Sequence, residues 1–375
     1  MSYLSIIITS TILLIAIAAG NRASADSRDS HKAVSIVFSS ESYSESFSLL
    51  DLYEDDPSFV KKGESLYSHT ELNMEYRFSF DQLKAHSYLI GYFKRYDYQA
   101  KHSNGAAQLY FVSQHDTENE TLALDLELKF DTLSSQGLRL GYQWNFHQNA
   151  SWLVYFDLGQ SDQLLSANVD GYLEQNLSDS AQGDSLAGDI RLDYYFQRDP
   201  IYSRSVKPAK GQVFAVSSQL DFNTDVSRHR ILLKDLYFLA RWPDAPYTQN
   251  QINSQRVQTR DDGSFNIRPL GSGRESFRSL DQTLVMRVYT QHEFNNPWGG
   301  YDFVMDINRV YLTNQINLGL QKRLSKEQYW QVKYSILDPA IEAVWQGNSM
   351  SFKFRVDHYN VSSMQQFAIS VGYYF

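Results

Sequence analysis

The sequence predicts an all-β chain, a transmembrane antiparallel up-and-down β-barrel of about 18 strands within a range of roughly 14–18. Three observations carry that expectation. The chain ends inside a strand: Phe367, Ile369, Val371, Tyr373 and Phe375 are large and apolar, and between them stand Ala368, Ser370 and Gly372, with Tyr374 as the exception. This is the period-two pattern of a strand with one apolar face, and a closed sheet gives a last strand its partner by pairing it with the first. The same alternation recurs from Glu45 onward in segments of about ten residues separated by turn residues. Composition is the third: of 375 residues 42% are apolar and 14% aromatic, with 26 Tyr and 22 Phe, at a mean hydropathy of −0.43. Beyond the extreme N-terminus no stretch offers the roughly 20 continuous apolar residues of a membrane-spanning helix. A barrel needs apolar residues only at alternate positions and favours aromatics at its interfaces.

In chain order, Ile6 to Ala19 is apolar and Ala23-Ser24-Ala25 meets the small-x-small rule, so residues 1–25 are expected to be a cleaved export signal releasing Asp26. The segment departs from the usual form in having no Lys or Arg before its apolar run, and that run is short for an anchor. Residues 26–44, polar and Ser-rich with an apolar patch at Ala33 to Phe38, are expected to be a periplasmic lead-in. Residues 45–375 are then the barrel, its first strand near Ser46 to Tyr53.

The clearest strands follow. Leu72, Met74, Tyr76 and Phe78 alternate with Asn73, Glu75 and Arg77; Leu122 to Phe130 alternates with Ala123, Asp125, Glu127 and Lys129; Leu138 to Phe146 alternates with Arg139, Gly141, Gln143 and Asn145. Ile190, Leu192, Tyr194 and Phe196 alternate with Arg191, Asp193 and Tyr195, and Phe352, Phe354 and Val356 with Lys353, Arg355 and Asp357. Counting back from a periplasmic C-terminus puts the short links 347–349, 325–328, 295–300, 223–228, 148–150 and 81–84 on the periplasmic side. The long links 54–64, 199–210 and 243–279 fall on the outer side, as barrels require. Two links resist this count: 176–188 becomes a long inner turn, and 311–314 is tight for an outer loop. Ile231 to Trp242 is apolar on both faces, so its inward side is not assigned.

The final strand, Phe367 to Phe375, resembles the C-terminal signal of Gram-negative outer-membrane β-barrels, an alternating apolar strand that finishes on Phe. The resemblance covers this strand alone. It implies an outer-membrane location after export, recognition of Phe367, Ile369, Val371, Tyr373 and Phe375 by the barrel-assembly machinery, and contact with outer-membrane lipid and lipopolysaccharide. Pro208-x-x-Gly211 before Phe214 is similar to a turn in barrels of the assembly and secretion type, whose periplasmic domains have no room here.

Charges at the centres of polar faces mark candidate lumen residues: Glu75, Arg77, Asp125, Arg139, Arg191, Asp193, Lys353, Arg355 and Asp357. Pairs such as Arg95 with Asp97 lie two apart on one face. They read either as the wall of a hydrated passage or as structural pairs filling a closed lumen. The outer loop 243–279 holds Arg256, Arg260, Arg268, Arg274 and Arg278, with Gly263, Gly271 and Gly273 to relax its backbone. These guanidinium groups are candidates for selectivity at the mouth, or for contacts to lipopolysaccharide.

Cys is absent and the net charge is −9, which removes thiol chemistry and gives no support to nucleic-acid binding. No cofactor or metal is expected. His102-Ser103-Asn104-Gly105 is similar to the motif of outer-membrane phospholipases, but that family keeps one residue between His and Ser. Adjacent residues on an extended chain point to opposite faces, so this pair is not set up for catalysis. The expected function is a channel passing small hydrophilic solutes or an exported polysaccharide by passive diffusion, the latter a design shared with alginate-type exporters. The alternatives are a barrel hydrolase acting on envelope lipid and a structural or assembly barrel with a closed lumen.

Overall fold

The computed structural model describes residues 32–80, 85–114, 122–176, 185–199, 201–204, 206–253, 258–259, 265–266, 271–295, 299–325 and 328–375. The expected signal peptide lies outside them. The strands are β1 (Lys32–Ser44), β2 (Ser65–Phe78), β3 (His86–His102), β4 (Leu122–His147), β5 (Ala150–Asn176), β6 (Ser185–Phe196), β7 (Gly211–Asn223), β8 (Ser227–Asn253), β9 (Gln258–Thr259), β10 (Phe265–Asn266), β11 (Gly271–Gln282), β12 (Arg287–Phe294), β13 (Asp302–Val310), β14 (Thr313–Arg323), β15 (Tyr329–Ser335), β16 (Ala340–Gln346), β17 (Met350–Val356) and β18 (Gln366–Tyr374). All pairings are antiparallel, and β18 closes on β1 from Ser35–Tyr374 to Tyr43–Gln366.

The closed ring holds 14 strands, fewer than the 18 expected. Part of the excess comes from strand length: Leu122 to Phe130 and Leu138 to Phe146, which alternation reads as two strands, are one, β4. Two more of the excess strands have a geometric origin. β5 pairs β7 along residues 150–161 and β6 along residues 165–176, so β6 and β7 both descend and occupy one position in the ring. β11 and β12 likewise pair the upper and lower parts of β8. Alternation counts each fragment separately and forces a turn between them. Asn176 and Ser185, which flank the segment that misfits as an inner turn, pair with each other at the outer ends of β5 and β6, and 199–210 connects two fragments partway down the wall. The tight outer turn at Tyr311 and Leu312 is real, with Tyr311 at a φ of 54°.

Two boundaries also differ. Residues 32–44, within the expected lead-in, are the first barrel strand, which pairs β18 and β2 along its polar Ser-rich part as well. The expected first strand near Ser46 to Tyr53 contains instead a short helix, Leu49–Glu54, started by Ser48, whose hydroxyl accepts the Asp51 N–H at 3.0 Å. Strand β8 runs to Asn253 and β11 starts at Gly271, so the outer link is shorter than 243–279. Pro243, Asp244 and Pro246 read as turn residues, yet they lie inside β8, where Ala245 is buried in one apolar cluster with Trp242.

The wall is lopsided: β4, β5 and β8 have 26 or 27 residues, and β15, β16 and β17 have seven each. The outward side chains form an apolar belt, with Leu138, Leu140, Phe156, Leu158, Ile341 and Phe352 exposed. An aromatic girdle marks its periplasmic rim, where Phe78 packs on Phe80 and Tyr88, Trp144 on Phe146, and Phe294 on Phe303. Inward positions on the same strands carry Arg139, Asp157 and Glu342, all buried. Among the described residues no helix is long and apolar enough to cross a membrane; the crossing elements are strands.

Candidate functional site: a charge layer across the lumen

Strand β8 carries the feature that organises the lumen. Asp235 lies in the left-handed region at φ 56°, and the register with β7 shifts between Val216 and Ser218. This is a bulge, tolerable for Asp because its short polar side chain suits that conformation. The Asp235 N–H donates to Ser217 Oγ at 3.1 Å. An extended chain would send Lys234 and Asp235 to opposite faces. The bulge turns both inward, where each meets the far wall, while Leu236 and Tyr237 stay exposed outside.

Opposite stand β2 and β3. Arg95 donates from Nη1 and Nη2 to Asp235 at 2.7 and 2.9 Å, and from Nε to Asp97 Oδ2 at 2.7 Å. Arg287 of β12 also donates to Asp235. Lys234 Nζ donates to Glu71 and to His69 Nε2, the latter at 3.0 Å. Beside them Arg139 forms a fork onto Asp157, with both contacts at 2.7 Å, and reaches Glu71 at 2.8 Å and Glu75 at 3.3 Å. Arg95 lies over the Phe238 ring at 5.0 Å, beneath an apolar cluster of Leu133, Leu164, Val213 and Trp242.

Burial of so many charges costs several kcal/mol per ion (roughly), offset only by dense pairing of this kind. Four cations, Arg95, Arg139, Lys234 and Arg287, face five carboxylates, Glu71, Glu75, Asp97, Asp157 and Asp235, so the layer is nearly balanced. The cavity left over it, lined by Tyr67, His69, Asp97, Arg287 and Tyr311 among others, is about 30 Å³, room for little more than a water.

Elsewhere the inward charges pair along the wall, between strands that are adjacent or one apart. Lys333 holds Asp306 at 2.5 Å and Glu342 at 2.6 Å, and Lys353 holds Glu342 at 3.0 Å. Arg355 donates to Gln315 at 2.7 Å, and Gln315 reaches Tyr67 OH on the opposite wall at 3.3 Å. At the periplasmic mouth Arg323 pairs with Asp302 and Glu293 at 2.7 and 3.0 Å.

The sequence-predicted residues divide accordingly. Glu75, Arg139, Lys353 and Arg355 are in the lumenal network, and Arg77 is an exposed inward position near the periplasmic rim. Asp125 is exposed at the outer end of β4, and Arg191 pairs with Asp193 at 2.9 Å on β6, above the belt. Asp357 accepts the Gln365 N–H at an outer turn. Arg274 and Arg278 sit on strand β11, Arg278 stacked 4.0 Å over Tyr247. Arg256, Arg260 and Arg268 lie outside the described residues. The residues expected to form the assembly signal, Phe367, Ile369, Val371 and Tyr373, pair with β1 along its outward positions, and Phe375 N–H donates to Val34 O at 2.9 Å.

Sequence reasoning left Lys234, Asp235, Asp157, Glu71, His69 and Arg287 unassigned. The available signal was two consecutive charges inside an otherwise apolar strand, which only a bulge accommodates. The Ser103 hydroxyl donates to Asp125 O at 2.8 Å and accepts the Ala106 N–H at 3.1 Å, starting the helix Asn104–Gln114, while His102 Nδ1 faces Ser103 O at 3.2 Å. They form no nucleophile–base pair.

No family model and no curated protein matches the chain. Among solved structures it is similar to a TodX deletion mutant described as a monoaromatic hydrocarbon channel (9% identity, 92% of this chain and 90% of that one, TM-score 0.44). It is also similar to the toluene transporter TbuX of Ralstonia pickettii (8%, 92% and 90%, TM-score 0.33) and the siderophore receptor PirA of Pseudomonas aeruginosa (8%, 92% and 80%, TM-score 0.24). An even number of antiparallel strands closed into a ring, an apolar belt with an aromatic girdle, short turns at one rim and tall strands at the other give this chain the architecture of a membrane-spanning β-barrel.

Proposed function

We propose that the chain is an outer-membrane channel for passive diffusion of small hydrophilic solutes, held closed by side chains of its own wall. The observation that carries this reading is the pairing of non-neighbouring strands through Arg95–Asp235 and Lys234–Glu71. Side-chain bridges of this kind can part while the strand ladder stays intact. The polar layer suits a hydrated solute, and its near balance of charge predicts weak ion selectivity. An exported polysaccharide fits poorly, because Arg95–Asp235, Lys234–Glu71 and Gln315–Tyr67 all cross the lumen. Export by a cleaved signal peptide, recognition by the assembly machinery and contact with lipopolysaccharide belong to the same reading.

Planar-bilayer recording of the folded protein tests it. The parent is expected to open rarely, and the double variant Arg95→Ala/Asp235→Ala to give steady steps with little preference between K⁺ and Cl⁻. If folded parent and variant both stay silent, the channel reading fails. The closed-lumen structural barrel, favoured by the same burial of charge, would then stand.

A further inference from the structure

We infer that His69 is a proton switch on the bridge between β2 and β8. The inference rests on the channel reading for its effect on flux, and on geometry alone for the switch itself. His69 Nδ1 stands 2.7 Å from Asp97 Oδ1. A carboxylate only accepts, so Nδ1 carries the hydrogen. Lys234 Nζ stands 3.0 Å from Nε2. An ammonium only donates, so Nε2 presents its lone pair and the ring is the neutral Nδ1–H tautomer. Glu71 Oε2 is 3.4 Å from the same nitrogen and is also the acceptor for Lys234.

A second proton on the ring has one place to go, Nε2, where it would face the Lys234 ammonium head-on. It would also give Glu71 a new donor on its own strand in place of the lysine from the far wall. Protonation therefore exchanges the cross-lumen contact Lys234–Glu71 for a contact within β2. The charged groups packed around the ring set the balance. Glu71 on β2 and Asp97 on β3 favour the added proton, and so, from farther off, does Asp235 on β8. Lys234 on β8, Arg95 on β3 and Arg287 on β12 oppose it. The Asp97 hydrogen bond is made in both states, so it does not drive the exchange.

The test combines conductance with unfolding of the folded protein in detergent, each over about pH 8 to pH 5. Parent open probability is expected to rise on the order of tenfold on acidification, the equivalent of one pK unit of coupling. The His69→Gln and Lys234→Gln variants should respond much less. In unfolding, the parent should lose stability relative to His69→Gln as pH falls, because the folded bridge needs the neutral ring. If that stability difference is independent of pH, the switch is overturned, whatever the currents do. It is equally overturned if His69→Gln keeps the parent's full pH response in conductance. A pH-dependent stability difference with no current in any protein keeps the switch and rejects the channel. Should His69→Gln not fold, Lys234→Gln carries the same comparisons, since it removes the group the new proton would face.

Discussion

Arg95 and Asp235 meet across the barrel in a two-point contact at 2.7 and 2.9 Å, with each side chain only 1% exposed. Their strands are not neighbours, so the contact fixes the distance between two walls that no backbone hydrogen bond connects. It exists because a left-handed residue in β8 turns Asp235 inward beside Lys234.

Removing one partner strands the others. Asp235→Ala leaves Arg95 and Arg287 short of a counter-charge and is expected to cost about 3–5 kcal/mol. The double variant Arg95→Ala/Asp235→Ala should cost less than the sum of the two singles. Urea unfolding of the four proteins in detergent checks this; additive losses would show that the pair is not coupled.

Backbone strain separates two substitutions at one position. Asn tolerates the left-handed conformation and Ala does not. Since both remove the charge, Asp235→Asn is expected to be more stable than Asp235→Ala by about 1 kcal/mol. Equal unfolding midpoints would argue against the bulge.

Gly211 lies flush on the Trp242 indole: a Cβ there would stand 2.8 Å from two ring atoms. Trp242 is fully buried, with its N–H donated to Gln282 at 3.2 Å, so the ring has little freedom to yield. Gly211→Val is expected to destabilise by about 1–3 kcal/mol through overpacking, with a lower thermal transition and a Trp fluorescence change. An unchanged transition would mean that β7 and β8 are not packed this closely.

The segment joining β6 to β7 predicts a pH dependence above the belt. Burial pushes the Asp199 carboxyl up, but the N–H groups of Tyr202 and Ile201 and the Arg204 guanidinium outweigh it and hold it below its ordinary value. The contribution of Asp199 is therefore present above the ordinary carboxylate range and is lost only as pH falls through the depressed value. Protection of the Ile201 and Tyr202 amides from hydrogen exchange should persist as pH is lowered through that range, and Asp199→Asn should weaken it at neutral pH. Protection that disappears on entering the ordinary range would contradict the depressed value.

The two faces of β18 should respond differently to a cation. Ile369 is paired with Ser40 on the outward side of the wall, and Ser370 with Ser39 on the inward side. Ile369→Lys is expected to cost up to about 2–4 kcal/mol, the figure for a lysine facing lipid near the bilayer midplane. Ser370→Lys should cost less, because the lumen offers carboxylates. Equal losses in folding yield into lipid vesicles would place β18 elsewhere in the wall.

The sequence by itself determined the barrel. Leu138 to Phe146 and Phe367 to Phe375 show a period of two because lipid touches one face of each strand and the lumen the other. That periodicity is local, so it can be read without knowing any partner. The same local signal identified Glu75, Arg139, Lys353 and Arg355 as inward. Two things were settled only by tertiary structure. One is the number of strands in the ring, because β6 with β7 and β11 with β12 share wall positions through their pairing with β5 and β8, a relation between distant segments. The other is the charge layer. Lys234 and Asp235 belong to it through a bulge set against Ser217, and their partners Glu71 and Arg95 lie more than 100 residues away. Alternation records which face a residue takes; it holds no information on which strand stands across the lumen.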